Sequence, residues 1–116
     1  MPIVEVWGVP DSVSRVTLAE LRDQIIKTVA REMGCKPEWV RVFYPQDMLA
    51  QGENEDVFVY VKTAVLAGRE DANEVAIAVT EQLATMICAT LQTHNVECFI
   101  EPLPKNWRHN VHAKRK

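Results

Sequence analysis

The chain has 116 residues, of which 47% are hydrophobic and 25% are charged, a composition typical of a globular protein rather than a fibrous or disordered one. All 16 acidic residues but only eight of the 13 basic residues lie in residues 1–104, which carry a net charge of −8, whereas residues 105–116 carry +5. Because an acidic body repels phosphate backbones, a nucleic-acid partner is not expected, and residues 108–116 are interpreted as a solvated basic tail.

The first half of the chain predicts a strand, a helix and a second strand. Residues 3–7 are rich in β-branched residues and predict the first strand. Thr17 and Glu20 have the spacing of a capping box, and Gly34 is placed to end the helix. Residues 39–44, which precede Pro45, predict the second strand. The helix between them has apolar residues at spacings of three and four, namely Leu18, Leu21, Ile25, Val29 and Met33.

The second half repeats this order after a polar loop at residues 51–56. Residues 57–61 form a continuous apolar run, which is typical of a strand covered on both faces. A second helix is predicted from about Asp71, because Asp71 and Glu74 have capping-box spacing, to about Thr93. Residues 96–101 predict the last strand, with Val96, Cys98 and Ile100 on one face and Glu97, Phe99 and Glu101 on the other.

Two β-α-β units in tandem predict an α+β fold with one four-stranded mixed sheet and both helices on one of its faces. We expect a single domain over residues 1–107. The other face of the sheet is predicted to carry Trp7, Phe43 and Phe99, so we expect self-association to cover it. A ferredoxin-like domain has a similar list of elements in a different strand order, and periodicity leaves both arrangements open.

Several classes of site and location are not expected. Cys35, Cys88 and Cys98 form no Cys-x-x-Cys pair, so neither a disulfide framework nor a zinc site is predicted. His109 and His112 lie three residues apart without an evident third ligand, and the sequence predicts no metal or other cofactor. No apolar run is long enough for a membrane span, and no signal peptide is recognised, so we expect a cytoplasmic protein with no membrane partner.

Pro2 is the residue with the most specific chemistry. Removal of Met1 turns it into a secondary amine, and a terminal amine has a pKa much closer to neutrality than that of lysine. Burial or nearby cations lower such a pKa further and leave a base that can move a proton between carbon and oxygen. The alternative is an edge-strand proline, which has no amide donor to lose. If Met1 is retained, the nitrogen is an amide and has no basicity.

Several short motifs resemble the tautomerase superfamily, over about residues 2–103. The length is similar to its macrophage migration inhibitory factor-like branch, whereas Ala67-Gly68-Arg69-Glu70 and residues 99–103 are more similar to a bacterial group, which points away from a cytokine. The resemblance implies a homotrimer of paired β-α-β units with active sites at subunit edges. The motifs that carry it are Met1-Pro2-Ile3-Val4, Gly34-Cys35-Lys36-Pro37, Trp39-Val40-Arg41-Val42, and Pro45-Gln46-Asp47-Met48-Leu49-Ala50 followed by Gly52.

The resemblance also implies roles for four residues. Pro2 matches the amino-terminal proline that acts as general base or acid, Lys36 matches a loop lysine, and Arg41 matches the strand arginine of the oxalocrotonate enzymes. Arg41 is expected to pair with a substrate carboxylate, while Lys36 or Arg15 holds the oxygen where enolate charge develops. Without the resemblance, Arg15, Lys36 and Arg41 are interpreted as ordinary surface charges.

The chain departs from the migration inhibitory factor branch at two points. Glu97 and Phe99 stand approximately where that branch has a tyrosine and an asparagine, and its Cys-x-x-Cys is missing. A different substrate is therefore expected. Two functions stay open. The first is an isomerase acting on a small 2-oxo acid or enol, and the second is a non-catalytic trimeric binding protein that retains the fold.

Overall fold

The computed structural model of the protein describes residues 2–46, 56–93, 95–103 and 113. The predicted loop at residues 51–56 therefore lies outside these residues except for Asp56, and the basic tail lies outside them except for Ala113. The described elements are β1 (Ile3–Trp7), α1 (Arg15–Met33), β2 (Arg41–Phe43), β3 (Asp56–Thr63), α2 (Ala72–Leu91) and β4 (Asn95–Pro102), with a 3₁₀ helix at Pro37–Trp39 before β2.

The four described strands form one mixed sheet in the order β2-β1-β3-β4. β1 pairs in parallel with β2, and β3 pairs in parallel with β4. The two units meet where β1 and β3 pair antiparallel. A ferredoxin-like arrangement splits each β-α-β unit with an intervening strand. Because β2 lies directly beside β1, the tandem β-α-β arrangement is confirmed and the ferredoxin-like alternative is wrong.

Both helices pack on one face of this sheet around a single core. Alternation along each strand points every second side chain toward the helices. These side chains are almost completely buried in β1 and β3 and partly buried in β2 and β4. Burial of this apolar surface is the main source of stability. The residues at the centre of the core, each at most 1% exposed, are Val4, Val6, Leu21, Ile25, Val29, Met33, Val57, Val59, Val61, Val79, Leu83 and Ile87.

Helix α2 has 20 residues and contains an 18-residue window with a mean hydropathy of 1.3, so by length and composition alone it is apolar enough to cross a membrane. By this criterion the expectation that no apolar run is long enough for a membrane span is wrong. Core helices of globular domains pass the same test. In this fold Val79, Leu83 and Ile87 form the stripe of α2 that packs into the core.

Helix α1 begins earlier than predicted because Ser14, rather than Thr17, is its N-cap. Ser14 has an extended backbone, and its Oγ accepts a hydrogen bond from the Thr17 backbone N–H at 3.1 Å. This bond satisfies one of the amide groups that the first helical turn leaves without a partner. The predicted end is confirmed, since Gly34 adopts a left-handed conformation with a φ of 67°.

Two strands also differ from expectation. β2 is shorter, because Pro37 begins a 3₁₀ helix that includes Trp39. β3 is covered on one face only, since Phe58 is 37% exposed whereas Val57 and Val59 are buried. The apolar run of β3 therefore supplies the core on one side and an open face on the other.

The start of α2 depends on Arg69, which the sequence did not identify as structural. Asp71 is the N-cap, but its carboxylate accepts two hydrogen bonds from Arg69, from Nε at 2.9 Å and from Nη2 at 2.8 Å. It makes no side-chain hydrogen bond to the helix. The predicted capping box of Asp71 with Glu74 is therefore wrong. This pairing raises the pKa of Arg69 and lowers that of Asp71.

Arg69 also links the two β-α-β units. Its Nη1 donates to the carbonyl of Met33, the last residue of α1, at 2.7 Å. Strand directions place the segment after α1 and the loop after β3 at the end of the sheet where β1 begins. Arg69 therefore ties together the two segments that flank Pro2.

Replacing Leu83 by Ala tests the core. Leu83 is fully buried, so we expect its truncation to lower the free energy of unfolding by about 2–5 kcal/mol. Urea denaturation followed by circular dichroism measures this change. Ile77→Ala on the same helix is the control, since Ile77 is 57% exposed and we expect less than about 1 kcal/mol. Equal losses would contradict the assignment of the buried face.

Replacing Arg69 by Ala tests the link between the units. We expect faster amide hydrogen exchange in residues 34–36 and 65–70, because both segments lose their shared partner. Arg69→Lys should not restore protection, since one ammonium group cannot reproduce the planar two-point pair. Arg22→Ala is the control, because its exposed pair with Asp23 at 3.4 Å joins no loops. Unchanged exchange in Arg69→Ala would show that the contact does not hold the segments.

Candidate functional site

Pro2 is buried and immediately precedes β1. Its carbonyl accepts a hydrogen bond from the backbone N–H of Arg41 at 3.0 Å. On its other side, the antiparallel register pairs Ile3 with Lys62, so one further step places Pro2 opposite Thr63. Alternation with Val4 puts Pro2 on the helix side of the sheet. Pro2 is thus fixed between the start of β2 and the end of β3.

Thr63 is the polar residue that sequence reasoning missed. It is 2% exposed, and its Oγ1 accepts a hydrogen bond from the Val65 backbone N–H at 3.0 Å. Its backbone carbonyl accepts a second from Leu103 at 2.8 Å. The alternation of side chains along β3 is the sequence pattern that could have identified Thr63. It follows Val57, Val59 and Val61 at spacings of two, so it faces the helices as they do.

Arg41 contacts Pro2 through its backbone N–H, not through its side chain. Its side chain is exposed, and its Nη1 donates to the carbonyl of Glu38 and, at 3.2 Å, to that of Val40. These carbonyl groups lie in and directly after the 3₁₀ helix. The guanidinium therefore lies on the chain segment that leads into β2 and is hydrogen bonded there to neutral acceptors.

Lys36 lies in the segment between α1 and the 3₁₀ helix, at the same end of the sheet as Pro2. Its Nζ is 5.8 Å from the ring centroid of Trp39, which is 47% exposed. This distance is within the range of a cation–π contact. Trp39 is thus an exposed ring that contacts the predicted binding lysine.

Arg15 lies at the opposite end of β1, because it begins α1 after the turn that follows Trp7. It lines a depression of about 260 Å³ together with Arg22, Val42 and Tyr44. Tyr44 donates to the Leu18 carbonyl at 2.7 Å, and burial raises the pKa of Tyr44 to about 12. One chain therefore gathers Pro2, Lys36 and Arg41 at one end of the sheet and leaves Arg15 at the other.

The sheet face turned away from the helices is open and rich in aromatic side chains. Phe43 and Phe99 are 50% and 44% exposed, and the rings of Phe99 and Tyr60 stack with their centroids 5.5 Å apart. We call this surface the open face. The prediction that aromatic residues would line it is confirmed.

Glu5 is the central acid of the open face. It accepts hydrogen bonds from the Trp7 indole N–H at 3.1 Å and from Lys62 Nζ at 3.2 Å. The indole bond, followed by the contact with Lys62, lowers the pKa of Glu5. Glu5 is therefore an ionised, paired side chain on a polar part of the sheet, rather than a candidate acid for catalysis.

The part of the chain that the structure describes contains no group of three or more His, Cys, Asp or Glu side chains placed to hold a metal ion. His109 and His112 lie outside the described residues.

Comparison with known proteins gives matches in structure alone. No family model and no curated protein sequence matches the chain. The fold, in contrast, has many close counterparts among solved structures.

Three of these counterparts show the range of the similarity. A fused 4-OT protein, described as an asymmetric trimer, is 19% identical with a TM-score of 0.74, over 97% of this chain and 94% of that one. A migration inhibitory factor-like protein from Entamoeba histolytica is 12% identical with a TM-score of 0.72, over 97% and 96%. The migration inhibitory factor of Toxoplasma gondii is 13% identical with a TM-score of 0.67, over 95% and 97%. The chain therefore has the tautomerase, migration inhibitory factor-like fold that its short motifs predict.

Proposed function

We propose that this protein is a keto–enol tautomerase in which the amine of Pro2, freed by removal of Met1, is the general base and acid. The observation that carries the proposal is the position of Pro2, buried at the start of β1 with its carbonyl held by the Arg41 N–H. Burial favours the neutral form of an amine, so such a group can accept a proton near neutral pH.

The chemistry requires one proton to move between carbon and oxygen. In the keto-to-enol direction, the neutral amine removes a proton from the carbon beside the carbonyl, and the protonated amine then delivers that proton to the enolate oxygen. In the reverse direction, the neutral amine takes the proton of the enol oxygen and then returns it to the carbon. Negative charge develops on that oxygen in both directions and requires nearby donors.

Lys36 and Arg41 are the proposed donors at this end of the sheet. Both are cationic, and the Arg41 guanidinium suits the two oxygens of a carboxylate. Its present acceptors are neutral backbone carbonyl groups, and the side chain is exposed. A substrate carboxylate is a stronger acceptor for a charged donor, so binding a small 2-oxo acid can draw Arg41 away from the carbonyl groups of Glu38 and Val40.

The open face supports self-association as a homotrimer. Phe43, Phe58 and Phe99 expose more apolar surface there than scattered single residues would. Solved structures of fused 4-OT with this fold are described as trimers. Arg15 lies at the far end of β1, so in an assembly a neighbouring subunit is the proposed source of the Arg15 that serves Pro2.

A non-catalytic trimeric binding protein is the second candidate. One observation favours it, namely the engagement of the Arg41 guanidinium with backbone carbonyl groups. In this case the fold and the assembly are retained without proton transfer.

The amino terminus distinguishes the two candidates. Intact mass should show that Met1 is removed, and the native protein should ketonise phenylenolpyruvate. Pro2→Ala should lower kcat/KM about 100-fold or more, as expected for loss of a positioned base. Pro10→Ala, in the turn after β1, is the control and should retain activity. Complete retention of Met1, or equal rates for Pro2→Ala and native protein, would exclude the proline mechanism.

Replacing Phe99 by Lys tests the assembly. A charge in the centre of an apolar interface opposes association, so we expect sedimentation velocity to shift from a trimer to a monomer. Ile77→Lys is the control, since Ile77 is exposed on α2, on the other side of the sheet. A monomeric native protein, or a trimer that is unaffected by Phe99→Lys, would contradict assembly through the open face.

A further inference from the structure

A pocket of about 270 Å³ lies at the end of the sheet where β3 and β4 finish, which is also the end where β1 begins after Pro2. Its walls are the last residues of these strands, the loop after β3 and the first turns of α2. Two polar side chains, Thr63 and Asn73, line it. Its apolar lining consists of Leu66, Ala67, Ala72, Ala76, Ile100 and Pro102.

The described part of the lining disfavours charged ligands. None of the described lining side chains is ionisable, so a charged group placed in the pocket would lose hydration without gaining a counter-charge. An uncharged apolar group, in contrast, gains from leaving water. The Thr63 hydroxyl and the Asn73 amide can orient one polar atom of such a ligand.

The walls are fixed before any ligand arrives. Leu66 is only 8% exposed and belongs to the core. The loop is held by backbone hydrogen bonds from Ala67 to Ala64 at 3.1 Å and from Arg69 to Leu66 at 3.2 Å. The Arg69 side chain then ties this loop to α1. A preformed pocket of this kind does not spend binding energy on ordering its walls.

Thr63 connects the pocket with Pro2. It lines the pocket, and the register of β1 and β3 places it opposite Pro2 on the same face of the sheet. Neighbouring strands are about 4.8 Å apart. One small molecule can therefore have a reacting carbon at the Pro2 nitrogen and an attached group in the pocket.

We propose that this pocket binds the uncharged apolar part of the ligand handled at Pro2, either a short alkyl group or a single aromatic ring. The inference that a neutral apolar molecule binds stands on the pocket alone. Its meaning as a substrate subsite rests on the proposed tautomerase function.

Binding is tested with 2-phenylethanol, an uncharged aromatic probe, by two-dimensional amide NMR of the full-length native protein. We expect saturable shifts centred on Leu66, Ala67, Asn73 and Ala76. The cationic 2-phenylethylammonium ion should give shifts at least tenfold weaker at the same concentration. Saturable shifts elsewhere, equal binding of the two probes, or no saturation would overturn the proposal.

Two variants locate the probe in the pocket. Ala76→Leu fills the space and should weaken 2-phenylethanol binding at least tenfold, whereas Ala89→Leu makes the same change on an exposed position of α2 and should not. If Ala76→Leu fails to fold, the smaller change Ala72→Val replaces it as the variant that fills the pocket. It should weaken 2-phenylethanol binding about threefold or more. Unchanged binding in a folded filling variant would refute the assignment.

The link to catalysis is tested with two enols, phenylenolpyruvate and the unsubstituted enol of pyruvate. The loss of kcat/KM in Ala76→Leu should be at least tenfold greater for the phenyl substrate. Equal losses would refute the subsite. Saturable 2-phenylethanol binding without turnover of either enol would instead refute the tautomerase function and leave the pocket as a binding site.

Discussion

The antiparallel pairing of β1 with β3 is the interaction on which the rest of the structure depends. It joins two β-α-β units through five residue pairs, from Ile3 with Lys62 to Trp7 with Phe58. With Val4 and Val6 on the same face as Val59 and Val61, both helices share one core. The same register places Pro2 opposite Thr63. One pairing thus determines the core, the open face and the surroundings of the candidate base.

That register also explains why the predicted site is incomplete within one chain. Parallel pairing brings the start of β2 to Pro2, so Arg41 and the segment with Lys36 arrive at the same end. Arg15 follows the other end of β1 and is kept at a distance by the length of the strand. The fold therefore gathers Pro2, Lys36 and Arg41 at one end of the sheet within one chain, and in the proposed assembly a neighbouring subunit adds Arg15.

The sequence predicted the helices, the strands and the fold class because these depend on local periodicity. The stripe of Val79, Leu83 and Ile87 is buried as its spacing requires. The predicted capping boxes of the two helices were wrong because neighbouring side chains competed with the predicted contacts. Ser14 and Thr17 both carry a suitable hydroxyl, and the Asp71 carboxylate is bound by Arg69 instead of the helix. The strand order, the role of Arg69 and the pocket beside Thr63 arise from contacts between distant parts of the chain, which no local pattern records.

The bond from Arg69 to the Met33 carbonyl has a consequence for how the chain acquires its structure. The sequence looks like two similar halves, and each half has the pattern of a unit that folds on its own. However, the side chain that binds the N-cap residue of the second helix also binds the last residue of the first helix. The loop of the second half is thus held in part by the first half. The duplication visible in the sequence is therefore one of pattern, and we expect the two halves, which share one core, to fold as one cooperative unit.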